Sequence, residues 1–204
     1  MFVTLEGIDR SGKTTQAALL AEALGDETLL LREPGGTEAA ERIRELLKDP
    51  TMELDARAEL LLFCGARAEL CARVIRPALE QGRHVVCDRF VDSTVAYQGG
   101  ARGLGIEVVE RLNELAIAGC LPDATVLLRL DPRRAEARGQ RRLAAQEADG
   151  ADRFEGEGLE FQRRVAAAYE ELAARHRERI FVVDAEGPKE QVHRRVMEAV
   201  SGKR

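Results

Sequence analysis

Four short stretches of this chain combine residue types and spacings that could handle phosphates and a nucleobase. The first is Gly7-Ile8-Asp9-Arg10-Ser11-Gly12-Lys13-Thr14, a Gly-x4-Gly-Lys-Thr pattern followed by Thr15. Glycines at both ends permit positive φ and close backbone approach, so the N–H groups between Gly7 and Thr15 can turn inward on an anion. A helix starting there aims its positive end at the same charge. Lys13 offers a point charge to the outer phosphates of a nucleoside triphosphate, and Thr14 offers a hydroxyl to magnesium. Four lysines stand against twenty-seven arginines, so a lysine at this place points to a use for the compact ammonium itself. Asp88 closes the apolar run Val85-Val86-Cys87. It would sit beside that lysine and suits magnesium or phosphate work, a strand-end cap being its plainer reading.

The second stretch is Arg32-Glu33-Pro34-Gly35-Gly36-Thr37, after a strand-like run. In the third, Leu60 to Arg67, Phe63 and Arg67 stand four residues apart on one helix face. There an aromatic ring can stack on a base while the guanidinium donates to a base carbonyl. The fourth runs from Asp88 through Arg89, Ser93, Thr94, Tyr97 and Gln98 to Gly99. Taken singly, Phe63 reads as core, Arg67 as a solvated helix charge, and Tyr97 and Gln98 as loop residues. Together they fall where an open α/β sheet places a second substrate. His84, His176 and His193 share no motif.

The elements that must position these groups follow from periodicity and punctuation. Strands are expected at Phe2–Leu5, Thr28–Leu31, Arg83–Asp88, Ala124–Leu130 and Arg179–Val183. Between them come helices: Thr15–Leu24 with Gly25 as its stop, Glu38–Leu47 with Thr37 as N-cap, and a long one from Asp55 to Glu80, bent near Gly65 or Pro77. Gly99, Gly100, Gly103 and Gly105 are read as a loop before a helix at Ile106–Ala118. A basic helix at Arg133–Leu143 leads into Ala144–Gly158, whose Ala, Gly, Glu and Asp content makes it the candidate mobile segment. Helices at Leu159–Ala174 and Pro188–Val200 complete the chain. This alternation predicts a single α/β domain over residues 1–204 with the P-loop NTPase fold. It would hold a five-stranded parallel sheet with helices on both faces and a small lid at about residues 138–156.

A length of 204 residues suits one such domain, and a net charge of −5 argues against an obligate nucleic-acid partner. Cys64, Cys71, Cys87 and Cys120 form no C-x-x-C pair and sit in apolar segments, as reduced buried thiols do. No apolar run approaches a membrane span and the chain starts on a strand-like segment rather than a signal peptide. A cytoplasmic protein with no membrane partner is therefore expected. A GTP switch would need an Asn-Lys-x-Asp reader, and the only asparagine, Asn113, precedes Glu114. Small-molecule kinases of this fold need instead a second pocket and an arginine-bearing lid that keeps water away from the transferred group.

With these motifs together, the chain resembles bacterial thymidylate kinases from Phe2 to about Val183, including Glu6-Gly7-Ile8-Asp9 and Asp152-Arg153-Phe154-Glu155. The resemblance implies ATP- and magnesium-dependent phosphorylation of dTMP to dTDP, on the way to dTTP, by a homodimer. It implies that Phe63 stacks on thymine, Arg67 donates to O4, and Gln98 meets the N3 edge with Ser93 or Thr94 beside the ring. Tyr97 would lie under the sugar, Asp9 would accept from the 3′-hydroxyl and Arg89 would hold the acceptor phosphate. Glu33 and Arg44 would complete the phosphate and metal region. Rival readings are a kinase for another pyrimidine monophosphate and a catalytically silent ATP-binding protein. One departure stands out. Arg10 occupies a position where many bacterial members carry glycine or another small residue, yet the lid stretch Arg138-Gly139-Gln140-Arg141-Arg142 is also arginine-rich. Arg10 is expected to bridge the two sets of phosphates, with Arg138, and Arg142 or Arg153, closing over ATP.

Overall fold

Every residue of Phe2-Val3-Thr4-Leu5-Glu6 is buried, and this run takes the centre of the sheet. The structure, a computed structural model, describes residues 1–144, 153–154 and 157–202, apart from the side chains of residues 142–144. Five parallel strands, β1 (Phe2–Glu6), β2 (Leu29–Arg32), β3 (Val85–Asp88), β4 (Ala124–Arg129) and β5 (Ile180–Asp184), are ordered β2-β3-β1-β4-β5. Alternate residues of the inner strands point to opposite faces. Val3, Leu5 and Val86 join the larger apolar cluster, whereas Phe2, Val85 and Cys87 join a second one. Both faces are thus covered, as a parallel sheet requires. All four cysteines are buried free thiols. Among the described residues no helix is long and apolar enough to cross a membrane.

The helices are α1 (Lys13–Leu24), α2 (Glu38–Lys48), α3 (Ala56–Leu70), α4 (Arg76–Glu80), α5 (Val91–Thr94), α6 (Ile106–Ile117), α7 (Pro132–Ala144), α8 (Gly158–Arg175) and α9 (Lys189–Ser201). Thr37 caps α2 by accepting from the Ala40 amide at 3.2 Å. Two expectations need correction and a third is narrowed. Of the two places offered for a break in the long helix, α3 continues as regular helix through Gly65, and the irregularity is a π-helical turn at Cys71–Ile75, just before Pro77. Proline has no N–H and crowds the preceding turn, so the helix widens there. Gly99 and Gly100 are not loop residues but belong to a π-helical turn, Val95–Ala101, that continues α5. Gly100 serves close packing: a Cβ there would lie 2.4 Å from the Ala168 Cβ on α8. Only Gly103 and Gly105, with φ of 79° and 92°, make the turn. Pro188 stands at the N-cap of α9 rather than inside it.

The register sets the site. Leu5 is level with Asp88 and Glu6 with Leu127, so the loops after β1 and β3 leave the sheet side by side at its carboxyl edge. The chain from β1 goes to β2 on one side, and that from β3 goes to β4 on the other. The crevice between them is the topological switch point where such sheets bind ligands.

Candidate active site

The loop after β1 can turn only because Gly7 has no side chain. At φ 141° a Cβ would lie 2.6 Å from the Leu128 carbonyl oxygen. Arg10 takes φ 63° and Gly12 φ 101° before α1 begins at Lys13. The first intrahelical bond runs from Gln16 N–H to the Gly12 carbonyl (3.0 Å), which leaves the amides of Lys13, Thr14 and Thr15 aimed outward for an anion. Lys13 is buried and its Nζ donates to the Ile8 carbonyl at 2.7 Å. Burial, and then the neighbouring Arg89 charge, bring its pKa down to about 8, against the pull of Asp88, Asp9 and Glu6.

Thr14 Oγ1 donates to Asp88 Oδ2 at 2.5 Å. The other oxygen, Asp88 Oδ1, is buried with no hydrogen-bond partner among the described residues. An orphaned carboxylate oxygen beside a hydroxyl suits a hard cation. Among the described residues there is no group of three or more His, Cys, Asp or Glu that could hold a metal alone.

Arg89, at φ 70° just past β3, is the hub facing the loop. Its Nη1 donates to the Gly7 carbonyl and Ser93 Oγ, and its Nη2 to the Tyr97 hydroxyl, each at 3.2 Å, and to Asp9. Asp9 also accepts from Gln162 Nε2 at 2.7 Å. Burial works against ionising Asp9, but Arg89 and Lys13, with the Gln162 and Tyr97 hydrogen bonds, outweigh it and hold its pKa below the usual value. Beneath lies Glu6, fully buried, which accepts from the amides of Phe90 (2.7 Å) and Ser93 (3.1 Å), from Ser93 Oγ (2.5 Å) and from the Tyr169 hydroxyl (2.8 Å). Burial, with Asp92 adding to it, raises its pKa to about 7. Glu6 thereby pins the turn that carries Arg89 and Ser93.

The far end of the cavity is built on α3. Arg67 is 1% exposed, not a solvated charge. Its Nε donates to Glu33 Oε2 (2.9 Å) and its Nη2 to Glu33 Oε2 (2.5 Å), the Phe90 carbonyl (3.0 Å) and Thr94 Oγ1 (2.6 Å). Nη1 donates to Asn113 Oδ1 at 2.6 Å. Of the five N–H groups of a guanidinium, one on Nη1 is left without an acceptor among the described residues. Burial raises the pKa of Glu33, and Arg67 opposes that rise. Phe63, one turn before Arg67, is half-buried, with its ring 5.8 Å from that of Phe154. Gln98 is buried and donates from Nε2 to Glu59 at 2.7 Å. Arg44 donates to the Pro34 carbonyl at 2.9 Å.

One cavity of about 850 Å³ joins these groups, lined at one end by Asp9, Arg10, Gly12, Lys13, Thr14, Thr15 and Asp88. At the other end stand Glu33, Arg44, Phe63, Arg67, Ser93, Thr94, Tyr97 and Gln98, with Arg89 between and Arg138 and Arg141 on α7. Gly7, Ile8 and Ser11 do not line it, and Ile8 and Ser11 are buried behind the loop. Arg138 donates to the carbonyls of Arg10 and Ser11 (both 3.4 Å) and of Ala185 (2.9 Å). Arg10 lies against α7 at Gly139, where a Cβ would come within 2.5 Å of its guanidinium carbon. Arg153 is placed away from the loop, with Nε on the Leu47 carbonyl (2.9 Å) and Nη1 on Glu59 (2.6 Å). The Arg142 side chain, Asp152 and Glu155 lie outside the described residues, as does most of the segment read as mobile. Glu59, Asn113, Gln162 and Tyr169 were missed in the sequence. Glu59 alone had a local signal, standing four residues before Phe63 on the same helix.

A phosphate loop that also presents an aspartate and an arginine to a second pocket, under an arginine-bearing helix, defines a P-loop nucleoside monophosphate kinase. A family model described as thymidylate kinase matches residues 5–196. The chain is 47% identical to the thymidylate kinase of Syntrophotalea carbinolica, over 96% of this chain and 92% of that one. It is 43% identical to that of Halothermothrix orenii, over 99% and 97%. The crystal structure of thymidylate kinase from Ehrlichia chaffeensis superposes with a TM-score of 0.79 at 35% identity, covering 98% of each chain. The chain belongs to the thymidylate kinase family.

Proposed function

We propose that the protein transfers the γ-phosphoryl group of ATP to dTMP, giving dTDP and ADP, with magnesium. The observation that carries this is the shared cavity: Asp9, Lys13 and Thr14 at one end, Phe63, Arg67 and Gln98 at the other, and Arg89 between. Lys13 and the α1 amides hold the outer phosphates of ATP, and Thr14 and Asp88 hold the metal. Held by Thr14 and Asp88, magnesium would supply positive charge to offset the negative charge that develops on transfer. Arg89 holds the acceptor phosphate, kept in place by Asp9, Ser93 and Tyr97, and Asp9 also takes the sugar 3′-hydroxyl. Phe63 stacks on the base, and the remaining Nη1 hydrogen of Arg67 donates to O4. The carboxylate of Glu33 is taken up by Arg67, so its part is to orient that guanidinium. Arg10 and Arg138 bring positive charge to the transferred group, and closing of α7 over the cavity excludes water.

ADP release coupled to NADH oxidation, with and without dTMP, tests this. Release must depend on dTMP, and equal release in its absence would leave only an ATPase. We also assign the protein to the cytoplasm, which its four buried free thiols support. A homodimer is supported by large apolar side chains left in solvent on two packed helices: Leu61 (58% exposed) on α3, and Val108 (53%) and Leu115 (79%) on α6. Sedimentation velocity giving only a monomer would refute that assembly.

A further inference from the structure

Glu59 lies in α3 one turn before Phe63 and two before Arg67, and is 1% exposed. Three side chains converge on its carboxylate, and all are donors. Gln98 Nε2 reaches Oε1 at 2.7 Å. Arg102 reaches Oε1 from Nε (3.2 Å) and Oε2 from Nη2 (3.3 Å). Arg153 reaches Oε2 from Nη1 at 2.6 Å. Arg102 is held in turn by Glu157 at 2.5 Å and by the Phe161 ring, 4.8 Å from its guanidinium carbon. An amide facing such an acceptor must present nitrogen, because its oxygen would meet a carboxylate head-on. Gln98 therefore has one orientation, with its carbonyl oxygen on the other side, where the residue lines the cavity.

We propose that Glu59 is a positioning residue for base selectivity: by fixing the Gln98 amide it makes the pocket demand a base that donates at N3. The inference rests on the dTMP kinase reading. Thymine and uracil donate from N3 and accept at O4, which match Gln98 Oε1 and Arg67 Nη1. Cytosine accepts at N3 and donates from its amino group, so it fails at both. A freely rotating glutamine would discriminate at neither nucleobase, since it can turn either end to the ligand. Glu59 removes that freedom. The same carboxylate anchors Arg153 at 2.6 Å, so Gln98 and Arg153 share one support.

Glu59→Gln inverts the lock. Arg153 and Arg102 claim the new amide oxygen, the new nitrogen faces Gln98, and Gln98 turns its own nitrogen to the pocket. The test measures kcat/KM for dTMP, dUMP and dCMP on both proteins. Turnover of dTMP by the unaltered protein comes first, and its absence would sink the kinase reading rather than this one. The expected result is a rise of about tenfold in the dCMP:dTMP ratio, the size of one hydrogen-bond mismatch, with the dUMP:dTMP ratio unchanged. An equal fall for all three substrates would overturn the proposal and leave Glu59 a structural hub. If the variant does not fold, Gln98→Leu carries the test, because it removes the reader. The dCMP:dTMP ratio must then rise, and an unchanged ratio means that Glu59 has nothing to act through.

Discussion

Replacing Arg67 by methionine keeps bulk inside the protein but strands the carboxylate of Glu33. The two residues are 1% and 5% exposed and are joined by bonds as short as 2.5 Å. Breaking a buried pair by removing one partner costs about 3–5 kcal/mol, because the other charge stays buried and uncompensated. In a chain of this size each kcal/mol lowers Tm by about 2–4 °C, so the midpoint should fall by about 6–20 °C. The loss has a pH signature. Burial already raises the pKa of Glu33 and Arg67 opposes that rise, so without Arg67 the value climbs further. A carboxylate whose folded pKa is raised contributes stability at low pH and loses it as pH rises through that value. The penalty in Arg67→Met must therefore be largest at pH 8 and shrink toward pH 5. Urea unfolding of both proteins at the two pH values measures it. Combining Arg67→Met with Glu33→Gln should recover most of the loss, since no charge is then left buried. A loss under about 1 kcal/mol at pH 8, the worth of a surface pair, or one that does not change with pH, would mean that Glu33 is not left as an uncompensated buried charge.

Nucleotide affinity should fall as pH rises above about 8, because Lys13 with its lowered pKa must take up a proton to meet phosphate. Titration calorimetry in buffers of different ionisation enthalpy should register that uptake, and proton-independent binding at pH 9 would contradict it. Arg10→Ala should lower kcat by about 10³-fold if its guanidinium stabilises the transferred group. Gly139→Ala, which keeps the charge but pushes the guanidinium off α7, should lower it by about tenfold to a hundredfold. KM for dTMP should change little in either, and a Gly139→Ala enzyme with full kcat would show that the seat of Arg10 on α7 is irrelevant.

What could be read in the sequence was what is local. The Gly7–Thr14 loop, the pairing of Phe63 with Arg67 on one helix face, and the strand alternation each sit within a few residues, and the parallel five-stranded sheet followed from them. The supports of the site did not show because they come from far along the chain. Gln162 reaches Asp9 across 153 residues, and Tyr169 reaches Glu6 across 163. Glycine was ambiguous for a physical reason, since a missing side chain serves both a turn and a close helix crossing. Gly103 makes a turn, whereas Gly100 makes room for Ala168. Arg67 was underrated because a lone arginine on a helix is usually solvated, and its four partners lie on β2's trailing loop, α5, α6 and the turn after β3.

In the proposed reaction, this cavity passes a phosphoryl group directly from one nucleotide to another. ATP labelled with ³²P in the γ position, incubated with magnesium and dTMP, tests it without any coupling enzyme. Label is expected in dTDP in a one-to-one ratio with ADP formed, and next to none in inorganic phosphate. Label released as phosphate, or retained in ATP while dTMP stays unmodified, would contradict it.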